Sequence, residues 1–172
     1  WPGPLRPRSS RVPCAMPGKA IVHLDLDCFY AQVEQRRLGR EPPPWTSKES
    51  SPLAVRQWDG LIAVNYAARA KGIKRGMRAA EAAALCPGIE LVHVETLTGD
   101  GAATASDADP DRRTQKACLR RYRQASEEVF AIFSRHAARC EMASIDEAYL
   151  DLSAEAARWL ASEEGRQPGR LE

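Results

Sequence analysis

The segment IVHLDLDCFY at residues 21–30 constrains the fold of this chain most. Val22, Leu24 and Leu26 are apolar at alternate positions, whereas Asp25 and Asp27 occupy the positions after Leu24 and Leu26. Because successive side chains of a β-strand point to opposite faces, this alternation predicts a half-buried strand with both aspartates on its open face. The pattern is typical of a strand that offers carboxylates to a ligand.

Composition excludes several classes of protein. The chain has 172 residues, 44% of them hydrophobic and 28% charged, which is enough for one globular core or for one core and a small satellite. No apolar run approaches the roughly 20 residues that span a bilayer, and no secretion signal is present, so we expect a soluble intracellular protein without a membrane partner. The five cysteines never form a CxxC pair, which argues against zinc and disulfides. A net charge of +2 is too small to indicate a polyanionic partner by itself.

The two ends of the chain differ in composition from its middle. Residues 1–18 are rich in Pro, Gly, Ser and Arg and begin with Trp, which predicts a disordered leader ahead of a possible true start at Met16. Residues 154–172 predict a truncated helical tail that fades into GRQPGRLE.

The middle of the chain alternates predicted strands and helices. A helix over residues 31–39 ends at Gly39. LAVRQ and LIAVNY predict a hairpin in which Asp59-Gly60 supplies the positive φ angles of the turn. IELVHV predicts a further strand, residues 97–112 a disordered insertion, and residues 116–139 an amphipathic helix. The apolar stripe of that helix comprises Leu119, Tyr122, Ser126, Val129, Phe133 and His136. Strands interleaved with helices predict an α/β or α+β domain.

A second acidic pair occurs far along the chain, in SIDEAYLDL. Asp146 and Glu147 are adjacent in a strand-like run, so their side chains can converge only at a bend or a hairpin tip. If that tip lies beside the first strand, three carboxylates meet. Carboxylate oxygens without nearby histidine or cysteine suit Mg²⁺ or Mn²⁺ and the transfer of phosphoryl or nucleotidyl groups.

Ordinary structural roles explain the same residues one at a time. An aspartate at a strand end is more often a cap or turn residue than a metal ligand, and Asp27 can simply orient its neighbours. His23, His93 and His136 fit structural positions, since none has a second metal-type partner at helical or strand spacing. The joint case for a site therefore depends on the order of the motifs.

HLDLDCFYAQVEQ, LAVRQW, IAVNYAARAKGIKRGM and SIDEAYLDL follow one another in this order and together resemble the Y-family (UmuC-type) translesion DNA polymerases. The resemblance covers about residues 20–153, and Gln57-Trp58 with Arg75 make the chain most similar to the eta branch. It implies an α+β fold, with a partial ferredoxin-like polymerase palm and a small fingers subdomain. The implied divisions are a first palm strand at 19–29, fingers at 30–88 and further palm at 89–153.

The resemblance implies a catalytic role for the acids. Asp25, Asp146 and Glu147 match the catalytic metal ligands, and Leu26 would lend its backbone carbonyl to the second metal. The implied cofactor is a pair of Mg²⁺ ions, for which Mn²⁺ can substitute. The implied substrates are primer-template DNA and deoxynucleoside triphosphates.

Other matched positions imply contacts with the incoming nucleotide. Tyr30 matches the steric gate, whose ring leaves no room for a 2′-hydroxyl, and Phe29 beside it is either a nucleotide contact or a core aromatic. Tyr66 and Arg69 match residues that hold the triphosphate, which suits the planar fork of arginine. Arg75 matches the fingers arginine over the incoming base.

Contacts with DNA are implied for fewer residues. Gln57 matches the residue that contacts the templating base from the minor-groove side. A basic cluster leads into the long helix, where it can contact phosphate or form a solvated face. Its members are Arg112, Arg113, Lys116, Arg120, Arg121 and Arg123. Arg123 fits a phosphate contact best by its motif, RYRQAS.

The chain departs from the family after DEAYLDLS, where relatives continue into more palm, a thumb and a little finger. We therefore expect an N-terminal fragment that extends primers barely detectably, with sliding-clamp contacts only in regions missing here. The eta-like resemblance implies a eukaryotic chain and hence a nuclear location; otherwise we expect a cytoplasmic one. One alternative is another Y-family branch, and a second is a truncated non-catalytic nucleotide-binding or interaction module. A third is a metal-dependent nuclease or cyclase, although neither a nuclease nor a cyclase explains Tyr30 and Arg75 together.

Overall fold

The computed structural model of this chain describes residues 18–40, 50–104 and 110–162. Within those ranges nine strands and five helices form a mixed α and β fold. The strands are β1 (Ile21–Asp25), β2 (Leu53–Gln57), β3 (Gly60–Val64), β4 (Glu90–His93), β5 (Thr96–Leu97), β6 (Ala103–Thr104), β7 (Lys116–Ala117), β8 (Arg139–Met142) and β9 (Glu147–Asp151). The helices are α1 (Phe29–Arg37), α2 (Tyr66–Ala70), α3 (Ala79–Leu85), α4 (Arg120–His136) and α5 (Ser153–Ala161). The predicted leader, apart from residue 18, and the end of the predicted tail lie outside the described residues.

The first strand and the Asp-Glu hairpin share one antiparallel sheet, in the order β1-β9-β8. Its register places Asp25 directly opposite Glu147 and Ile21 opposite Asp151. Ala148 and Leu150 point from β9 into a core shared with Phe130 of α4. The prediction that both acidic segments lie on one sheet is confirmed.

The second sheet has the order β3-β2-β4, with β2 antiparallel to β3 and parallel to β4. Leu53 and Val55 of β2 pack with α1 and α4, whereas Ala54 packs in a second cluster with α2 and α3. This two-sided burial follows from the period of two in a strand. β4 follows the predicted fingers boundary at residue 88 and pairs with β2, which lies within the predicted fingers. A strand pattern shows which residues are buried and not which strand they pair with.

The β2–β3 hairpin forms as predicted, but its turn has a different cause. Trp58, and not Gly60, has the positive φ angle, at 56°. The backbone N–H of Trp58 donates to Nε2 of His93 at 2.8 Å, and the two rings meet edge to face with centroids 5.3 Å apart. His93 is buried in the adjacent strand β4 and so supports a backbone conformation that a non-glycine residue rarely adopts.

A small sheet, in the order β6-β5-β7, forms at the predicted disordered insertion. Strand β6 lies inside residues 97–112, whereas β5 begins just before this segment and β7 follows it. Thr96 is buried there, and its hydroxyl contacts the hydroxyl of Thr104 and the amide oxygen of Gln115, the latter at 3.2 Å. Residues 105–109 of the insertion lie outside the described residues. Small, polar residues form no alternating apolar pattern, so composition alone missed strands that pair through their backbones and through the hydroxyls of Thr96 and Thr104.

Because Lys116 and Ala117 form strand β7, the long helix begins at Arg120 and not at residue 116. Tyr122, Ser126 and Phe130 form its buried stripe, at the i, i+4, i+8 spacing of one helix face. His136, predicted on that stripe, is exposed. Across the described residues, no helix is both long and apolar enough to cross a membrane.

We expect His93→Ala to lower the free energy of unfolding by about 1 to 3 kcal/mol, because the Trp58 N–H loses its acceptor. Urea denaturation of the purified chain measures this change. The matched control is His136→Ala, an exposed histidine whose loss should change stability by no more than about 0.5 kcal/mol. Equal effects of the two substitutions would contradict the role given to His93.

Candidate active site

An open cleft of about 800 Å³ lies where the end of β1 and the start of β9 meet the start of α1. Strand β3 and the segment that follows α2 also line it. The predicted site residues that line this cleft are Asp25, Leu26, Phe29, Tyr30, Arg69, Arg75, Asp146 and Glu147. Gln57, Tyr66 and Arg123 do not line it.

The acids of the cleft are brought together by strand pairing. Asp25 and Glu147 are cross-strand partners, and the N–H of Leu26 donates to the carbonyl oxygen of Asp146 at 2.8 Å. Asp146 lies in the tight turn between β8 and β9, where Ser144 Oγ donates to its carboxylate at 2.7 Å. The hairpin tip therefore lies beside the end of the first strand, as predicted.

Electrostatic repulsion marks this group of acids. The pKa of Asp25 is raised by desolvation, then by the charges of Asp146, Glu147 and Asp27, and by a hydrogen bond with the Glu147 carboxyl. A cation placed between these acids would relieve the repulsion.

The residue types fit a hard divalent cation, but the side chains are not gathered around one. Among the described residues, no three His, Cys, Asp or Glu side chains are placed so that they could hold a metal ion. Asp25 and Glu147 lie opposite each other across the two strands, while Glu147 contacts His23 at 3.5 Å and the Asp146 carboxylate is bound to Ser144. Ligation by all three acids would therefore require side-chain rotations, including release of Asp146 from Ser144.

Asp27 lies beyond the end of β1, so it does not share the strand face predicted for it. Cys28 turns the backbone there, with φ at 43°. The Asp27 carboxylate forms a hydrogen bond with the Tyr66 hydroxyl, which raises the pKa of Tyr66. The guanidinium of Arg69 lies 5.0 Å from the centre of the Tyr66 ring, and its Nε donates to the carbonyl of Val64 at 3.0 Å. Asp27 therefore connects the acidic strand to α2.

The two aromatic residues at the start of α1 face different surroundings. Phe29 is buried in the core with Leu53 and Val55, although its edge reaches the cleft. Tyr30 is only partly buried, and its ring stacks on Tyr122 of α4 with centroids 4.2 Å apart. Burial, followed by the charge of Asp146, raises the pKa of Tyr30, so its hydroxyl is protonated at neutral pH. The core explanation given for Phe29 is thus supported by its burial.

The arginines divide into cleft residues and paired residues. Arg69 and Arg75 reach the cleft wall, whereas Arg123 is exposed on α4 and its charge still acts on the Tyr30 hydroxyl. Three members of the basic cluster contact acids within the chain. These pairs are Arg113 with Asp111 at 3.2 Å, Arg120 with Glu95 at 3.8 Å and Arg121 with Glu34 at 2.8 Å. The cluster is therefore not a uniform phosphate-binding surface.

Sequence reasoning missed four residues at or behind the cleft. Ser144, Lys74 and Cys28 line it, and Glu34 lies behind Tyr30 in the contact between α1 and α4. Burial raises the pKa of the Cys28 thiol to about 11, so it is no thiolate nucleophile. The position of Ser144 two residues before Asp146 is a recognisable turn signal, whereas Glu34 has none, because a helical glutamate normally faces solvent.

Comparison with known proteins defines the class. The family model described as the impB/mucB/samB family matches residues 24–165. A solved structure described as a Dbh ternary complex with partially disordered substrates superposes with a TM-score of 0.58 and 26% identity, over 80% of this chain and 32% of that one. The chain therefore belongs to the impB/mucB/samB family, which comprises the Y-family (UmuC-type) polymerases.

Individual relatives come from plants, fungi and bacteria. The DNA polymerase eta of Arabidopsis thaliana is 42% identical over 151 residues, covering 87% of this chain and 19% of that protein. The N-acetyltransferase eso1 of Schizosaccharomyces pombe is 40% identical over 147 residues, covering 86% and 16%. The DNA polymerase IV of Pseudomonas fluorescens is 35% identical over 142 residues, covering 80% and 32%. The chain thus spans between 16 and 32% of the length of these relatives.

We expect Asp25→Asn to raise the thermal unfolding midpoint of the metal-free chain at about pH 7. A carboxyl whose pKa is raised above the ordinary 3.8 opposes folding at higher pH, and this opposition fades as the pH falls to that value. The gain should therefore shrink at about pH 4. Calorimetry at both pH values measures it.

The control for this experiment is Glu141→Gln, which removes an exposed acid from the same sheet without touching the cleft. Added Mg²⁺ should raise the midpoint of the parent chain and of this control, but not that of Asp25→Asn. An equal Mg²⁺ response in all three proteins would contradict metal binding at the acids.

Proposed function

We propose that this chain forms the catalytic palm and fingers of a template-directed translesion DNA polymerase of the eta branch. The observation that carries the proposal is that one open cleft is lined by the three predicted acids, by Tyr30, and by Arg69 and Arg75. Gln57-Trp58 and Arg75 favour the eta branch, as do eta relatives at 42 and 38% identity, although bacterial DNA polymerase IV reaches 35%. Those relatives make a nuclear location the natural one for a eukaryotic chain.

Three acids of the cleft would bind the metal ions of the proposed reaction. Asp25, Asp146 and Glu147, with the backbone carbonyl of Leu26, would hold divalent cations, Mg²⁺ or Mn²⁺. Such cations, when bound, neutralise the triphosphate and stabilise the attacking and leaving oxygens of an in-line displacement. The proposed reaction is attack of a primer 3′-hydroxyl on the α-phosphate of a deoxynucleoside triphosphate, with release of pyrophosphate.

The other cleft residues hold and select the nucleotide in this proposal. Arg69 and Arg75 contribute positive charge to the lining of the same cleft, where they would contact the triphosphate and the base. Tyr66 acts indirectly, since its hydroxyl is bound to Asp27 and its ring lies against Arg69. Tyr30 presents its ring under the sugar and excludes a 2′-hydroxyl.

Template contacts fall outside the cleft. Gln57 ends β2 at the hairpin turn, where it would contact the templating base, and Arg123 is exposed for a phosphate of the DNA or the nucleotide. An open active site that encloses the base pair loosely suits synthesis across damaged bases.

We expect the chain to bind a deoxynucleoside triphosphate weakly in the presence of Mg²⁺, as measured by ³¹P NMR titration. Arg69→Ala should weaken this binding about ten-fold or more, because a charge-assisted contact with phosphate is lost. Asp146→Ala combined with Glu147→Ala should remove the Mg²⁺ dependence. Arg135→Ala, an exposed arginine of α4, is the matched control and should leave the affinity unchanged.

Primer extension separates an enzyme from a nucleotide-binding module. Any extension of a primed template by this chain should disappear in the Asp146→Ala, Glu147→Ala protein. Extension that survives the double substitution would overturn the assignment of the acids. Absence of triphosphate binding in the parent chain would overturn the proposed function itself.

A further inference from the structure

Glu34 is a fully buried acid in the contact between α1 and α4. Its side chain has 0% exposure, which is rare for glutamate unless the charge is paired. One carboxylate oxygen accepts hydrogen bonds from the Tyr122 hydroxyl at 2.7 Å and from Arg121 Nη1 at 2.8 Å, and the other accepts from Arg37 Nε at 2.6 Å. Glu34 therefore binds its own helix and the neighbouring helix at once.

Tyr122 connects Glu34 to Tyr30 at the cleft. It is fully buried, with its hydroxyl held by Glu34 and its ring stacked on Tyr30 at 4.2 Å and an interplanar angle of 22°. Burial, then the Glu34 charge and hydrogen bond, raises the pKa of Tyr122, so its hydroxyl remains a donor. The partly exposed ring of Tyr30 thus rests on a buried ring whose far end is fixed by a charge.

We propose that Glu34 and Tyr122 are positioning residues that set the plane of the Tyr30 ring and so determine how strictly the site rejects ribonucleotides. This inference rests on the proposed function, in which Tyr30 excludes the 2′-hydroxyl. A steric barrier works only if it does not yield, and Tyr30 faces an open cleft on one side. Tyr122 is the stacked surface behind it.

Hydrogen-bond chemistry explains why a charged residue, Glu34, holds Tyr122 in place of an apolar one. A buried tyrosine hydroxyl needs an acceptor, and a carboxylate bound by two arginines is a strong and immobile one. Arg37 and Arg121 are 31 and 25% exposed, so they can stay solvated while they hold the buried acid. Since small displacements at a reacting centre are costly, a fixed acceptor sharpens the barrier.

Nucleotide selection distinguishes this role from a purely structural one. A loss of stability lowers the affinities for dATP and ATP together, whereas a displaced Tyr30 ring changes their ratio. The ratio is measured by titrating the chain with each nucleotide in Mg²⁺. Tyr30→Ala defines the ratio that remains without the barrier.

Tyr122→Phe is the most informative variant, because it keeps the buried ring and removes only its hydroxyl. We expect the preference for dATP over ATP to fall about three- to ten-fold, as for the loss of one positioning hydrogen bond. Glu34→Gln should have a similar or larger effect. The matched control is Glu128→Gln, which breaks the exposed Arg36–Glu128 pair between the same helices, with side chains 62 and 60% exposed, and should leave the ratio unchanged.

A second measurement does not depend on nucleotides. The aromatic NMR signals of Tyr30 in the free chain should shift in Tyr122→Phe and remain in place in Glu128→Gln, since ring stacking determines them. Unchanged Tyr30 signals in Tyr122→Phe overturn the positioning role, whether or not any nucleotide binds.

These experiments distinguish a failure of the positioning role from a failure of the proposed function. If Tyr30→Ala removes the dATP preference and Tyr122→Phe keeps it, the positioning role is overturned and the proposed function stands. If the parent chain binds neither nucleotide, or binds both equally, the proposed function fails and sugar selection by this network fails with it. A smaller preference for dATP over ATP in Tyr122→Phe, together with shifted Tyr30 signals, supports the positioning role.

Discussion

The antiparallel pairing of β1 with β9 is the interaction on which the rest of this structure depends. Its register sets Asp25 opposite Glu147, and its continuation, from the Leu26 N–H to the Asp146 carbonyl, brings the hairpin tip to the end of the first strand. A shift of one residue would turn one set of acids toward the core. The buried residues Ala148 and Leu150 oppose that shift, because they hold the other face of β9 against α4.

The helix α1 is the second organising element, because it starts at the cleft and is held from behind. Its first residues, Phe29 and Tyr30, face the core and the cleft, and one turn later Glu34 binds the network of α4. The fingers segment joins the acids by another route, through the hydrogen bond between Tyr66 and Asp27. The cleft is thus bounded by elements that are distant in sequence and connected by a few polar contacts.

Several predictions from the sequence failed for a common physical reason. The β2–β3 turn obtains its positive φ from Trp58 because a buried histidine on β4 supports it, and the small sheet at β5 depends on buried hydroxyl contacts. Neither histidine nor threonine carries a local signal for these roles. Composition and periodicity report which residues prefer water, whereas these features depend on which residue lies across from them.

The sequence by itself determined the main strands and helices, the family and the positions of the acids, because strand alternation and motif order are local properties of the chain. Asp25, Asp146 and Glu147 could be named from their positions on predicted strands. Only the tertiary structure decided that Asp25 meets Glu147 while Asp146 turns to Ser144, since side-chain contacts follow from register and packing. It alone decided the burial of Glu34, because a helical glutamate becomes a core residue only when arginines and a tyrosine from another helix surround it.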